Sequence, residues 1–343
     1  MAYTTIDKPD DYFNKVLYTG NGVGGTNITG VGFQPDLVWI KRRSDTEFHV
    51  WNDAVRGVPK NIYSNSTNAE DSGSLMSAII SDGFTVQTDA SVNSSGSTYV
   101  AWNWLANGAG VSNTAGSITS TVSANTTSGF SIVSYTGTGS NATVGHGLGV
   151  APKMVIVKGR SYIGDWKVYN SNVGATFQGF LNGTEAFQGS SPTIWNSTAP
   201  TSTVFSIGTN SGVNTSGGTI IAYCFAEVKG FSKFGSYTGN GSADGTFVYT
   251  GFKPAFVMLK RTNDTAHWQM QDSKRIGFNP ENERLYASDS AAEQTINFID
   301  LLSNGFKCIT TDAGANGSGD NFIYMAFAEN PFVTSTSIPT TAR

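Results

Sequence analysis

The sequence has few charged residues, and apolar stretches of membrane-spanning length are missing from it. Only 13% of its 343 residues are charged, and the formal net charge is -4. Without an excess of lysine and arginine, the chain has no basic surface that could bind nucleic acid through its phosphates. No apolar run approaches the roughly 20 residues that cross a bilayer. We therefore expect neither nucleic-acid binding nor membrane insertion.

Cysteine and histidine are also scarce. The two cysteines, Cys224 and Cys308, lie in apolar, strand-like segments far apart in the chain, and we expect buried free thiols rather than a disulfide. The three histidines, His49, His146 and His267, form no spacing typical of a metal site. The sequence therefore predicts no metal and no cofactor.

Glycine and aromatic residues, by contrast, are abundant. The chain contains 40 glycines, and 12% of its residues are aromatic. Disordered chains are poor in aromatics, so this composition indicates folded, strand-rich domains that are joined by tight turns.

One segment occurs three times, as GFQPDLVWIK at 32–41, GVAPKMVIVK at 149–158 and GFKPAFVMLK at 251–260. Each copy has the pattern of a turn followed by a strand that ends in lysine, and we expect the lysine to bring the strand out to solvent. The three lysines are 117 and 102 residues apart, and the prolines inside the copies keep the same spacing. The constant register indicates an internal triplication.

Short strands with turn signals every 8–12 residues or so recur within each repeat, as is typical of a β-sandwich. We predict an all-β fold of three tandem β-sandwich or jelly-roll-like repeats of roughly 100 residues each. The expected parts are an N-terminal arm (1–15), repeat one (16–107), a Ser/Thr-rich linker (108–129), repeat two (130–229), repeat three (230–330) and a C-terminal tail (331–343).

Three finer expectations concern the connections. Residues 117–123 alternate in polarity, so an extended strand is an alternative to a flexible linker there. Repeats two and three have almost no spacer, and we expect them to pack together while repeat one is more independent. Weak helical spacing over 290–302 predicts one short helix.

The most suggestive polar cluster follows the opening strand. In repeats one and three an aspartate lies 12 residues after the repeated lysine, and an arginine follows three residues later. One interpretation is a ligand-binding site, and the favoured one is a structural Asp–Arg pair with a tryptophan packed beneath it. Repeat two has Asn170 and Val173 at the corresponding positions. The candidate binding residues are His49, Trp51, Asp53, Arg56, Trp268, Asp272 and Arg275.

No catalytic motif stands out. The chain has no Gly-x-Ser-x-Gly elbow. Glycoside cleavage requires two facing carboxylates, whereas the aspartates at 53, 82, 89 and 272 are scattered. Asp82 and Asp89 sit at turns, where aspartate is favoured for backbone reasons. We predict no catalytic residues and no enzymatic activity, with a polysaccharide depolymerase as the alternative.

Four motifs together resemble a known family: the 32–41 segment, Asp53-x-x-Arg56-Gly57, Asp82-Gly83-Phe84 and YVAWNW at 99–104. They are similar to a poorly characterised repeat domain of virion and tail-fibre-like proteins of tailed bacteriophages, notably marine phages such as cyanophages. The resemblance is strongest over 10–107 and weakest in repeat two.

The resemblance implies a non-enzymatic virion protein of the tail or a tail fibre that contributes to recognition of host-surface glycan. A capsid decoration or head fibre is the alternative location. The implied partners are further copies of the chain, with a trimer favoured, other virion proteins and host cell-surface polysaccharide.

Overall fold

The structure is a computed structural model that describes residues 3–189, 192–275, 279 and 281–340. Almost all regular structure in these ranges is antiparallel β-sheet, which confirms the predicted all-β sandwich class. Three short helices each consist of a single turn, and the side chain of the preceding aspartate or asparagine caps each one.

Repeat one consists of two facing sheets. A 3-10 turn at Pro9–Asp11 precedes it, and its elements are β1 (Phe13–Thr19), β2 (Thr26–Thr29), β3 (Leu37–Arg42), β4 (Val50–Asp53), β5 (Ile62–Tyr63), β6 (Met76–Ile80), β7 (Gly83–Val86), α1 (Ala90–Asn93) and β8 (Thr98–Trp104). The inner sheet has the order β1-β8-β3-β4-β5, and the outer sheet has the order β2-β7-β6.

Repeat two keeps this plan and adds strands at its edges. Its elements are β9 (Val111–Asn113), β10 (Ser120–Asn125), β11 (Phe130–Thr136), β12 (Ala142–Gly145), β13 (Met154–Gly159), β14 (Lys167–Asn170), β15 (Phe177–Phe180), β16 (Gln188–Gly189), β17 (Val204–Ile207), α2 (Ser211–Asn214) and β18 (Thr219–Phe225). The inner sheet runs β16-β15-β14-β13-β18-β11-β10-β9, and β12 pairs with β17. The segment 108–129 therefore belongs to this sheet through β9 and β10 and is not a free linker.

Repeat three forms one sheet that curls over on itself. Its elements are β19 (Ser232–Thr238), β20 (Phe247–Tyr249), β21 (Phe252–Arg261), β22 (Gln269–Asp272), β23 (Glu281–Tyr286), β24 (Gln294–Leu302), β25 (Gly305–Cys308), α3 (Ala313–Asn316) and β26 (Asn321–Pro331). The order β19-β26-β21-β22-β23-β24-β25-β20 matches repeat one strand for strand. The helix expected over 290–302 is wrong, because β24 pairs with strands on both sides and this pairing overrides weak local spacing.

The inner faces of the three repeats share one apolar core. Trp104, Phe225 and Phe327 hold equivalent positions near the ends of the last strands, and their ring centroids are 6.4, 5.7 and 6.2 Å apart. This triangle of rings marks an approximate three-fold axis. Each repeat also has a separate apolar cluster between its own inner and outer strands. Repeat one packs against both other repeats, so the expectation that it is more independent is wrong.

Both cysteines are buried free thiols, as predicted.

Candidate functional site

The candidate polar cluster of repeat one is an ion pair in the protein interior. The Arg56 Nε donates to Asp53 Oδ2, and neither side chain has exposed surface. The Arg56 guanidinium also donates to the carbonyl of Trp51 at 2.9 Å. Tyr223, from repeat two, donates its hydroxyl to Asp53 Oδ2 at 2.7 Å. The pair therefore lies in the joint between repeats one and two.

The cluster of repeat three has the same construction. The Arg275 Nε donates to Asp272 Oδ2 at 2.7 Å, and both side chains are fully buried. Trp102, from repeat one, donates its indole N–H to Asp272 Oδ2 at 3.0 Å. Burial raises the pKa of the Asp272 carboxyl, but the charge and hydrogen bond of Arg275 outweigh it and hold the pKa below its usual value. This carboxylate is therefore charged and lies in the joint between repeats three and one.

A glutamate extends each network to an arginine of the neighbouring repeat. Glu70 accepts two bonds from Arg160 of repeat two, at 2.8 and 3.0 Å. Glu293 accepts bonds of 2.9 and 3.0 Å from Nε of Arg43 in repeat one. Each glutamate also forms an ion pair with the arginine of its own repeat's Asp–Arg pair. Both joints thus contain a linear network of ion pairs, Asp–Arg–Glu–Arg, in which the arginine next to the aspartate is wholly enclosed.

The joint between repeats two and three lacks this network within the described part of the chain. Asn170 occupies the aspartate position, and Val173 occupies the arginine position. The residue equivalent to the donors Tyr223 and Trp102 is Met325, whose thioether has no proton to donate. The carboxylate and the donor that would face it are therefore replaced together.

Repeats two and three are joined mainly by apolar contact and backbone bonds. The rings of Phe187 and Trp268 lie 6.2 Å apart. The Trp268 indole donates to the carbonyl of Phe180 at 2.7 Å. The Phe187 N–H donates to the carbonyl of Thr262 at 2.9 Å. This joint therefore needs no buried charge pair at the Asn170 position.

The repeated lysine links every repeat to the next. All three lysine side chains are buried, so the expectation that they carry the strand out to solvent is wrong. Each ammonium donates to one carbonyl of its own repeat and one of a neighbour, so the three links close a ring. The neighbouring acceptors are Ser290 at 3.0 Å for Lys41, Thr67 at 2.9 Å for Lys158 and Thr184 at 2.8 Å for Lys260.

These lysines give the stability of the protein a distinctive pH dependence. Burial lowers the pKa of Lys41, Lys158 and Lys260 to about 8, whereas the unfolded chain keeps values near 10.4. Between these values the unfolded state binds more protons, so the free energy of unfolding rises with pH. We expect a gain of about 1 kcal/mol per lysine between pH 8 and pH 9.

Urea unfolding at a series of pH values measures this gain. Lys158→Met should reduce the rise by about one third, because the other two lysines are unchanged. Above about pH 10 the trend should reverse, since tyrosines of the unfolded chain ionise while buried Tyr18, Tyr135 and Tyr237 have raised pKa values. A flat or falling profile between pH 8 and pH 9 would contradict the assignment.

His49 has a structural position rather than a catalytic one. It lies eight residues after its repeat's lysine, as do Trp166 and Trp268, so its counterpart in repeat three is Trp268 and not His267. The His49 Nδ1 accepts a bond of 2.9 Å from the Trp39 indole. Burial lowers the pKa of His49 well below its usual value, so the ring is a neutral acceptor.

All seven candidate binding residues are buried, with at most 8% of any of them exposed. Trp51 completes the set by packing edge-on against Tyr223 at 4.9 Å. The geometry does not favour the ligand-binding interpretation of this cluster, because its polar atoms are enclosed in the joints between repeats. The favoured structural interpretation of the Asp–Arg pair agrees with the geometry.

The remaining carboxylates that were considered for glycoside cleavage stabilise backbone turns. Asp82 accepts the N–H groups of Gly30 at 3.0 Å and Gly32 at 2.6 Å. Asp89 caps α1 by accepting the N–H of Ser91 at 2.8 Å. Within the described residues, no group of three His, Cys, Asp or Glu side chains is placed to hold a metal ion. In the same ranges, no helix has the length and apolar character needed to cross a membrane.

Among the residues that the structure describes, the edge strand β20 carries two exposed aromatic rings. Phe247 and Tyr249 are 46% and 55% exposed and point to the same side of the edge strand β20. Tyr3 of the arm lies beside them, since its hydroxyl donates to the carbonyl of Gly251 at 2.6 Å. Lys229 places its ammonium 4.7 Å from the centre of the Tyr3 ring. We call Phe247, Tyr249 and Tyr3 the aromatic edge.

Comparison with known protein families identifies the family of the chain. A family model described as a domain of unknown function, DUF7483, matches residues 8–331 and therefore spans all three repeats as one unit. No curated protein and no solved structure matches the chain. Because the model covers almost the entire length, the chain belongs to the DUF7483 family.

Proposed function

We propose that the protein is a non-enzymatic structural module of a tailed-bacteriophage virion, carried on the tail or a tail fibre, that contributes to recognition of host-surface glycan. The proposal depends mainly on one observation, that the repeated polar residues form contacts between repeats. The aspartates, arginines and lysines that recur in register are all committed to joints between repeats. Such a closed ring of three sandwiches suits a rigid building block.

The sequence motifs support the location in the virion, and the exposed aromatic residues support the recognition of glycan. Glycans bind proteins through the apolar faces of their rings together with hydroxyl hydrogen bonds. Phe247 and Tyr249 offer flat apolar faces to solvent, and the hydroxyl groups of Tyr249 and Tyr3 lie 3.3 Å apart beside them. Tyr3 and Tyr249 line a cavity of about 360 Å³ together with Lys229 and Glu227, which add charged hydrogen-bonding groups.

Cryo-electron microscopy of the intact virion tests the location. Density for a three-lobed ring on the tail or its fibres would support the proposal. Density that repeats over the capsid lattice would favour a decoration protein or head fibre instead. Absence of the protein from purified virions, checked by mass spectrometry, would overturn both locations.

The aromatic edge gives a direct test of recognition. Phe247→Ala with Tyr249→Ala should weaken adsorption of the purified protein to host cells by about 10-fold, because two stacking rings are lost. Ile163→Ala, which removes a 76% exposed side chain of repeat two, is the matched surface control and should leave adsorption unchanged. Equal adsorption by the double variant and the control would reject this surface.

The same purified protein, incubated with host polysaccharide, separates binding from cleavage. We expect the polysaccharide to keep its length. Release of oligosaccharides would overturn the non-enzymatic proposal in favour of a depolymerase.

A further inference from the structure

A lysine of repeat one occupies a position that the fold otherwise gives to the apolar core. Lys15 lies on the inner face of β1, opposite Trp102 of β8. The equivalent residues are Ile132 in repeat two and Phe234 in repeat three, and both belong to the shared core. Lys15 itself is only 8% exposed. A charged residue that replaces a core residue in one repeat of three points to a local role.

The Lys15 ammonium has no hydrogen-bond or ion-pair partner among the described residues. It lines a cavity of about 490 Å³ between the arm, β1 and repeat three. Lys8 and Lys274 line the same cavity, and their ammonium groups likewise have no partner within the described ranges. We call this cavity the arm pocket. The Lys15 side chain is largely enclosed, and its ammonium, which has no direct partner, opens into the pocket, so a site of this kind favours a counterion.

Most carboxylates of the arm pocket are already committed. Asp7 accepts bonds from the Ser335 N–H at 2.6 Å and from its hydroxyl at 2.5 Å. Glu329 accepts a bond of 2.7 Å from Lys253. Asp7 keeps its charge, since serine is neutral, so the lining has the three carboxylates Asp7, Asp10 and Glu329 beside three lysines, and Lys253 adds a fourth ammonium paired with Glu329.

We propose that the arm pocket binds an oxyanion, the carboxylate or phosphate group of a small ligand, with Lys15 as the buried contact and Lys8 and Lys274 at its rim. Burial lowers the pKa of Lys15, and a bound anion favours the charged form of the ammonium. The source of the group is either an acidic sugar or free phosphate. This inference does not depend on the proposed function, since it rests on the pocket alone.

Isothermal titration calorimetry of the full chain at constant ionic strength tests the proposal, with sodium phosphate and sodium glucuronate as probes. We expect saturable binding of at least one probe and a rise in melting temperature as that probe is added. Binding of glucuronate alone would identify the acidic sugar as the source, and binding of phosphate alone would identify free phosphate. No saturable binding of either probe would overturn the proposal.

Substitutions locate the binding in the pocket. Lys15→Ile, which copies Ile132, should abolish the binding and raise the melting temperature of the anion-free protein. Lys274→Ala should weaken binding about 10-fold through loss of a rim charge and tests the pocket if the core substitution perturbs folding. Lys153→Ala, at an exposed lysine outside the pocket, is the control and should bind as the native protein does. Undiminished binding by Lys15→Ile or Lys274→Ala would contradict the assignment.

Discussion

Trp104→Ala is expected to lower the free energy of unfolding by about 3–5 kcal/mol, the usual cost of removing a large aromatic side chain from a core. The Trp104 ring contacts aromatic residues of all three repeats. Its centroid lies 4.8 Å from that of Phe13, 6.4 Å from that of Phe225 and 5.7 Å from that of Phe327. The alanine variant therefore leaves a cavity where the repeats meet, and no single repeat can close it.

Urea unfolding, followed by circular dichroism and by tryptophan fluorescence, measures this effect. Because the core is shared, we expect one transition that moves to lower urea by both probes. Trp104→Phe, which restores the ring type of Phe225 and Phe327, is the matched control and should cost less. A variant in which repeat one melts early while the other two keep their native midpoint would contradict the shared core.

Asp272→Ala is expected to lower the free energy of unfolding by about 3 kcal/mol, because the enclosed Arg275 guanidinium keeps Glu293 but loses the carboxylate at its Nε. It also removes the acceptor of the Trp102 indole N–H. Asn170→Ala is the matched control at the equivalent position of the joint without an ion pair, and it should cost clearly less. Equal losses of unfolding free energy for the two variants would show that the buried ion pair stabilises the protein no more than Asn170 does.

The pH dependence supplies a second check on this carboxylate. Its pKa is lowered in the folded state, so its contribution is present above the unfolded value of about 4 and is lost as the pH falls below it. The alanine variant should therefore show a flatter decline of stability on the acid side. Asp272→Ala combined with Arg275→Leu should recover part of the loss, because the enclosed guanidinium that has lost its aspartate is removed as well.

The fold could be predicted from the sequence because the chain contains three copies of the same strand pattern. Constant spacing of lysine and proline identified the repeats, and turn signals with alternating strands identified the sandwich class. The arrangement of the repeats was not accessible. Which face of each sheet meets another repeat depends on contacts between residues about a hundred positions apart, and strand patterns do not report such contacts.

The repeated lysine shows why local reasoning failed. A charged residue after an apolar strand normally marks the boundary with solvent. Here one of the two acceptors of each lysine is a carbonyl of a neighbouring repeat, such as Ser290 for Lys41, and nothing near the lysine in sequence reveals it. The same holds for Glu70 and Glu293, which the sequence analysis did not single out.

One signal in the sequence did carry information about the joints. Repeat two has Asn170 in place of the aspartate, and repeat three has Met325 in place of the hydrogen-bond donor that would face it. Such a paired loss is expected of residues that face each other, because a lone donor or a lone buried carboxylate is costly. Comparing complementary losses among the repeats would have placed Trp102 and Tyr223 in the site.

The ring closes between the first part of the chain and the last. Lys41 and Ser290 are 249 residues apart, and Arg43 and Glu293 are 250 apart. During synthesis, repeat one therefore leaves the ribosome with a lysine and an arginine whose acceptors have not yet been translated. Native closure must wait until the segment around Glu293 has emerged, so a ribosome that stalls earlier holds a nascent chain with an open, apolar face for chaperones to cover.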